Sequence, residues 1–103
     1  MTGLALIRPA WAAPARVHAV ATTRTGGDSR PPWASLNLGD HVGDDPATVL
    51  RNRELLRDAL ELPGDPVWLQ QVHGTAVVED ARAGNGAAAD ASWTTSHGIV
   101  CDV

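Results

Sequence analysis

The sequence contains no lysine: its 103 residues include eight side chains of the Lys/Arg type, and all eight are arginines. The arginines form no cluster, and the formal net charge is -4 at pH 7. Proteins that bind nucleic acid usually carry a basic patch that neutralises backbone phosphates. The charge balance therefore argues against nucleic acid as a partner. Because arginine occupies every such basic position, the choice of arginine over lysine is not evidence of function. Only the position of an arginine in the sequence can indicate a role.

Cysteine and long apolar runs are scarce as well. Cys101 is the single cysteine, so the chain cannot form an internal disulfide, and nothing indicates an oxidising compartment. The apolar residues 4–7 are too few for a signal peptide, and no window approaches the roughly 18 apolar residues of a membrane span. We therefore expect a cytoplasmic protein with no membrane partner.

The first half of the sequence predicts a strand, a loop and a helix. Residues 17–23 are rich in β-branched side chains and lead into the turn-forming residues 24–29. Residues 30–43 predict an ordered surface loop held to the core by Trp33, Leu36, Leu38 and Val42. A helix is predicted over residues 46–61, with Asp45 as N-cap, Pro46 at the first helical position, and apolar Val49, Leu56 and Leu60 at helical spacing.

The second half predicts strands. Residues 67–73 and 76–79 are strand-like, and the turn between them at residues 74–75 suggests that they pair. Residues 80–90 consist almost entirely of small residues and predict a mobile loop. The apolar residues 98–103 read as the start of a strand, from which we expect the chain to be the first part of a larger catalytic domain. This order of elements indicates a mixed α/β or α+β domain with one core.

His73 is the leading candidate for chemistry. In an extended strand Leu69, Gln71 and His73 share a face, so a polar pair would lie at the strand end beside Gly74. Imidazole suits proton transfer and zinc ligation alike. The alternative is a histidine that is only hydrogen-bonded at a strand terminus, since no His-x-x-x-His or Cys-x-x-Cys partner accompanies it.

Two further segments are weaker candidates. Residues 24–29 could offer main-chain N–H groups and the Arg24 guanidinium to a phosphate, although the Gly-Lys-Ser/Thr ending of a P-loop is missing. His41 lies among Asp40, Asp44 and Asp45, which resembles a hard-metal site. Helix capping by Asp45 explains part of that cluster without a metal.

These segments together resemble the YfiH-like laccase-domain family, whose members are described as polyphenol oxidases or as purine nucleoside phosphorylases. The resemblance extends over nearly the whole chain from Thr22. It rests on Thr22-Thr23-Arg24-Thr25-Gly26-Gly27, on residues 35–46 with the motif Ser35-Leu36-Asn37-Leu38-Gly39, and on Asn52-Arg53, Trp68-Leu69-Gln70-Gln71-Val72-His73-Gly74 and Ala89-Asp90-Ala91.

The resemblance implies an α+β fold, with mixed β-sheets flanked by helices, of which residues 1–103 would be the N-terminal portion. It also implies phosphorolysis of adenosine, inosine or methylthioadenosine, with adenosine deamination as a companion activity. His73 would be both a catalytic residue and one of three zinc ligands, with copper as the alternative metal. Purine nucleoside and phosphate would be the partners, and Arg24, Asn37 and His41 would be substrate- or phosphate-binding residues.

Two alternatives stay open at this point. The chain as it stands could be an inactive fragment, because two of the three zinc ligands implied by the resemblance lie in motifs that it does not contain. A cysteine hydrolase is the other alternative, with Cys101 as nucleophile and His73 as base. The family's ligand cysteine follows the strand in which Cys101 lies, so Cys101 does not inherit its role.

Overall fold

The computed structural model describes residues 3–80 and 86–103, and these residues divide into two compact units. The first unit ends at Ala59 and the second begins at Leu60. In chain order the elements are β1 (Leu6–Ile7), β2 (Ala21–Thr22), α1 (Pro46–Ala59), β3 (Leu69–Gln70), β4 (Val77–Glu79), β5 (Ala87–Ala88) and β6 (Ala91–Trp93). Antiparallel β1–β2 and parallel β3–β5 and β4–β6 make up the sheets. The predicted α+β class with mixed sheets is confirmed.

The strand predicted over residues 17–23 is much shorter in the structure. Only β2 is regular, and it pairs with β1 in the register Leu6 to Thr22 and Ile7 to Ala21. Both residues of β2 are exposed, so no buried face favours a longer strand. Beyond it, the Thr23 hydroxyl donates to the Ala5 carbonyl at 2.6 Å.

Helix α1 begins at Pro46, as predicted. Asp45 precedes it as N-cap: its carbonyl accepts the Val49 N–H at 3.0 Å, and its side-chain Oδ2 accepts the Thr48 hydroxyl at 3.0 Å. The proline fits the first helical position because an N–H there would have no partner within the helix. Sequence capping signals were therefore sufficient to place this end of the helix.

The helix ends at Ala59, two residues before the predicted end at Glu61. Glu61 takes a left-handed conformation with φ of +50°, which stops the helical hydrogen bonding and leaves Leu60 outside the helix. No helix among the described residues is long and apolar enough to span a membrane.

The core of the first unit lies under α1. Val49 and Leu56 are buried on the helix, and Leu36 is buried in the loop, as predicted for all three. The expectation for Val42 is wrong, because the residue is 46% exposed. Val42 contributes its carbonyl oxygen instead, which accepts the indole N–H of the half-buried Trp33 at 3.0 Å.

The predicted pairing of residues 67–73 with residues 76–79 is wrong. β3 pairs with β5, Leu69 opposite Ala87, and β4 pairs with β6, Val77 opposite Ala91. A hairpin does not form because the main-chain N–H groups of residues 72–74 donate to the carboxylate of Asp90 rather than to a facing strand.

Two other predictions for the second unit are partly wrong. The loop expected over residues 80–90 contains β5 at its described end, while residues 81–85 lie outside the described residues. The strand expected from residue 98 is an isolated parallel bridge between Cys101 and Val67, where the Val67 N–H donates to the Val100 carbonyl at 2.8 Å.

Candidate functional site

His73 lies just beyond β3 in a loop that the strand pattern did not predict. Its φ is +57°, in the left-handed region that non-glycine residues seldom adopt, and the residue is exposed. The alternation that would put Gln71 and His73 on one face therefore fails, because His73 has left the extended conformation. The loop presents the imidazole to solvent.

The carboxylate of Asp90 holds this loop. Its Oδ1 accepts the N–H groups of Val72 at 3.1 Å and His73 at 2.8 Å, and its Oδ2 accepts the N–H of Gly74 at 2.8 Å. The hydrogen bond from Gly74 lowers the pKa of Asp90 most, burial opposes this shift, and the bonds from His73 and Val72 add to it. The Asp90 N–H donates in turn to the Ala76 carbonyl at 3.0 Å.

The metal-binding potential of the described residues is limited. They contain no group of three His, Cys, Asp or Glu side chains that could hold a metal ion. The hard-metal reading of His41 and its acidic neighbours is therefore not supported. For zinc, His73 offers a single accessible imidazole, and one donor does not make a zinc site, which ordinarily has three or four protein ligands.

The loop around Arg24 satisfies most of its own polar groups. The Arg24 Nε donates to the Ala34 carbonyl at 3.0 Å, and the Arg24 carbonyl accepts the N–H of Ser35 at 2.7 Å. The N–H groups of Gly26 and Gly27 both donate to the Ser35 hydroxyl oxygen, at 3.1 and 3.2 Å. A phosphate at this loop would therefore have to contact the guanidinium of Arg24 rather than these main-chain amides.

Asn37 and His41 lie on either side of Gly39. A Cβ placed on Gly39 would be 3.5 Å from the Asn37 Oδ1 and 3.5 Å from the His41 Cε1. The Asn37 side chain exchanges hydrogen bonds with Gly39 and donates to the Asp44 Oδ2 at 3.2 Å, whereas the His41 Nδ1 lies 3.8 Å from the Asp40 Oδ1. The structure thus brings these two predicted residues together, with the Asn37 amide bound within its own loop.

Asn52 was quoted from the sequence only as part of the resemblance, and its structural role was not predicted. It is completely buried on α1; its Oδ1 accepts the Asp28 N–H at 2.8 Å, and its Nδ2 donates to the Ser29 hydroxyl at 2.8 Å and the Asn37 carbonyl at 2.9 Å. The spacing of apolar residues in the sequence could have indicated that Asn52 is buried. Asn52 follows Val49 by three positions and precedes Leu56 by four, which places it on the buried face of the helix.

We predict that Asp44 makes the stability of the chain sensitive to acid. The Ser29 hydroxyl, donating at 2.6 Å, is the main cause that lowers the Asp44 pKa below 3.8, and the bonds from Asn37 and Asp45 add to it against burial. A carboxyl whose pKa is lower in the folded state stabilises the fold above its unfolded pKa, and this contribution disappears as the pH falls through the folded pKa.

The measurement is the free energy of unfolding from neutral pH down to about pH 2.5, the range in which carboxylates are protonated. Asp44→Asn should reduce stability at neutral pH and flatten the decline below pH 4, whereas Asp58→Asn, at an exposed helix position, should follow the wild type. Parallel curves for wild type and Asp44→Asn would contradict the prediction.

The left-handed backbone at His73 gives a second prediction. His73→Gly and His73→Ala both remove the imidazole, but only glycine adopts a φ of +57° without steric penalty. We expect His73→Gly to be more stable than His73→Ala by about 1 kcal/mol, the ordinary penalty of this conformation for a residue with a Cβ. Chemical denaturation of both variants measures the difference, and equal stability would contradict the observed backbone conformation.

Known proteins are similar to this chain over nearly its whole length. A purine nucleoside phosphorylase of Pseudomonas aeruginosa is 50% identical over 99 residues, which cover 96% of this chain and 40% of that protein. YfiH of Escherichia coli, also named a purine nucleoside phosphorylase, is 48% identical over 99 residues, covering 95% of this chain and 41% of that protein. These relatives confirm the resemblance derived from the motifs.

Solved structures agree. The crystal structure of a Neisseria meningitidis protein matches with a TM-score of 0.80 and 43% identity, covering 91% of this chain and 38% of that one. YlmD from Geobacillus stearothermophilus matches with a TM-score of 0.71 and 36% identity, covering 82% of this chain and 36% of that one. The chain spans about two fifths of the length of the curated relatives it matches. By sequence and fold, with residues 18–103 matched, the chain belongs to the multi-copper polyphenol oxidoreductase laccase family.

Proposed function

We propose that the chain forms part of a zinc-dependent purine nucleoside phosphorylase and that His73 is one of its metal ligands. The observation that carries the proposal is the identity of 48 to 50% with relatives named purine nucleoside phosphorylases, over at least 95% of this chain. The exposed imidazole of His73, on a loop fixed by Asp90, supports the choice of residue. Purine nucleoside and phosphate are the substrates that this function requires.

The reaction breaks the bond between the purine nitrogen and the pentose carbon and forms a bond from that carbon to a phosphate oxygen. The purine leaves as the free base, with the proton that the hydrogen phosphate gives up overall now on its nitrogen. Adenosine, inosine and methylthioadenosine are the nucleosides we propose, with adenosine deamination as a companion activity. Phosphate is an anion, and we assign the guanidinium of Arg24 in the first unit to bind it. Asn37 and His41, which flank Gly39, are the further substrate-binding residues of the proposal.

Zinc fits this proposal only if ligands from outside the described residues complete its site. His73 would contribute one nitrogen, and the described residues contain no group of three ligand side chains, so the other donors would have to come from outside them. When bound, zinc would polarise an oxygen of water or substrate. Copper is the alternative metal, because the matched family carries a multi-copper description.

The experiment compares the 103-residue chain with a version extended by the part of the Pseudomonas aeruginosa relative that it does not cover. Zinc content and phosphate-dependent release of hypoxanthine from inosine are measured on both. We expect zinc retention and base release in the extended protein and neither in the shorter one. An extended protein that folds and retains zinc but releases no base would overturn the proposed activity.

Phenol oxidation is a second candidate, because the family description names polyphenol oxidoreductases. The extended protein can be assayed for oxidation of a simple phenol in air, before and after dialysis against a chelator that removes loosely bound copper. Oxidation that survives this treatment, in the absence of phosphorolysis, would favour the oxidase over the phosphorylase.

A further inference from the structure

The loop at residues 72–74 has the main-chain geometry of an anion-binding site, and the anion that it binds is the carboxylate of Asp90 in the same chain. Successive main-chain N–H groups converge on one point when a left-handed residue lies among them, which creates an anion-binding concavity. The left-handed residue is His73, and the three converging N–H groups all donate to the Asp90 carboxylate. The carboxylate and the unusual conformation of His73 therefore depend on each other.

Asp90 is itself held firmly. It lies between β5 and β6, which pair with β3 and β4, the strands on either side of the loop. Its neighbour Ala89 is fully buried and donates its N–H to the Gln70 carbonyl at 3.2 Å, while the Asp90 N–H donates to the Ala76 carbonyl at 3.0 Å. The paired strands thus fix where the carboxylate sits, and the carboxylate fixes the loop.

His73 is exposed, so few neighbouring side chains restrict its imidazole, which also interacts electrostatically with the Asp90 carboxylate. The backbone conformation of His73 therefore sets the direction of its Cα–Cβ bond and, with it, the positions that the imidazole can reach. We propose that Asp90 is the positioning residue that aims the His73 imidazole for phosphorolysis, an inference that rests on the proposed function. Without the carboxylate, the three N–H dipoles would lose their common acceptor, and His73 would relax toward an ordinary negative φ.

The test on the full chain is amide hydrogen exchange and histidine ring resonances by nuclear magnetic resonance. Asp90→Ala removes both oxygens, whereas Asp90→Asn keeps one oxygen and replaces the other with an amide group that cannot accept a hydrogen bond. The N–H groups of Val67 and Gly86 are internal references, because they donate at 2.8 Å to Val100 and Trp68 within the same unit. Asp58→Asn is the matched control for loss of a carboxylate elsewhere.

We expect exchange at residues 72–74 to accelerate about tenfold or more in Asp90→Ala, as for loss of hydrogen bonds to a charged group. In Asp90→Asn the increase should be largest at Gly74, whose partner is Oδ2, if the amide oxygen takes the place of Oδ1. The His73 ring resonances should shift in both variants, and the references should keep their rates. Unchanged exchange at residues 72–74, or equal acceleration at Val67 and Gly86, would overturn the positioning role.

Activity separates this inference from the proposed function. In the extended protein, we expect Asp90→Asn to lower kcat while KM for phosphate changes little, because Asp90 acts through His73 rather than on the substrate. Full activity in Asp90→Asn would overturn the inference and leave the proposed function intact. No phosphorolysis by the extended wild type would overturn the proposed function, whereas the exchange and ring measurements would still report whether Asp90 fixes the loop.

Discussion

Replacing Asn52 with alanine is expected to destabilise the chain by about 3 kcal/mol. The side chain is completely buried and joins helix α1 to two separate loop segments through Asp28, Ser29 and Asn37. Alanine would leave the Asp28 N–H and the Asn37 carbonyl without their side-chain partner and would open a cavity. An unsatisfied buried polar group ordinarily costs about 1–3 kcal/mol, and the gain in helix propensity on going to alanine offsets only about half a kcal/mol.

Arg51→Ala is the matched control, because it removes the neighbouring helix residue that also contacts Asp28. The Arg51 Nε lies 2.8 Å from the Asp28 Oδ2, and both side chains are at least half exposed. Exposed ion pairs contribute little, so this variant should lose less than about 1 kcal/mol. Urea denaturation followed by circular dichroism at 222 nm, which reports helix α1, measures both. Equal effects of the two substitutions would contradict the structural role of Asn52.

Replacing Gly27 with alanine is expected to have an effect of similar size, about 3 kcal/mol, for a steric reason. An added Cβ would overlap the Ser35 carbonyl oxygen and lie 2.6 Å from the Asn52 Oδ1 and 2.8 Å from the Leu36 Cα. Two of these three neighbours are main-chain atoms, which cannot turn aside as a flexible side chain would. Relief would require the main chain at Gly27 to move away from the main chain at Ser35 and Leu36.

Gly64→Ala provides the control for this substitution. Nothing lies within 4 Å of a Cβ built on Gly64, so alanine there should be neutral or stabilising by about half a kcal/mol through the unfolded chain. Thermal unfolding of both variants gives the comparison. A Gly27→Ala protein that unfolds at the temperature of Gly64→Ala would show that the loop is not packed as the structure has it.

The sequence predicted the elements whose signals come from neighbouring residues and failed where an element depends on residues distant in the chain. The start of α1 was predicted correctly because the Asp45 cap and Pro46 lie next to each other in the chain. The pairing of β3 and β4 was predicted incorrectly, because each strand takes a parallel partner from residues 87–93. Strands of only two or three residues give no periodic pattern from which such a partner could be read.

The same distinction holds for the candidate site. His73 could be proposed as a candidate because its side chain and the surrounding motif carry the chemical signal, and its role stays a prediction. Asp90 belonged to a motif of the resemblance, but its role could not be predicted, since its partners are main-chain N–H groups that no pattern of side chains displays. For Arg24, the roles of the neighbouring glycine amides were equally hidden, because they depend on the Ser35 hydroxyl, eight or nine residues away in sequence.

Zinc content and phosphate-dependent base release in the extended protein carrying His73→Ala show most directly whether His73 is a metal ligand of a phosphorylase. His97→Ala, which removes an exposed histidine from the same unit, is the control. The proposed role of His73 predicts that His73→Ala loses both the bound zinc and the release of hypoxanthine from inosine, while His97→Ala keeps both. Zinc and base release that persist at wild-type levels in His73→Ala would contradict it.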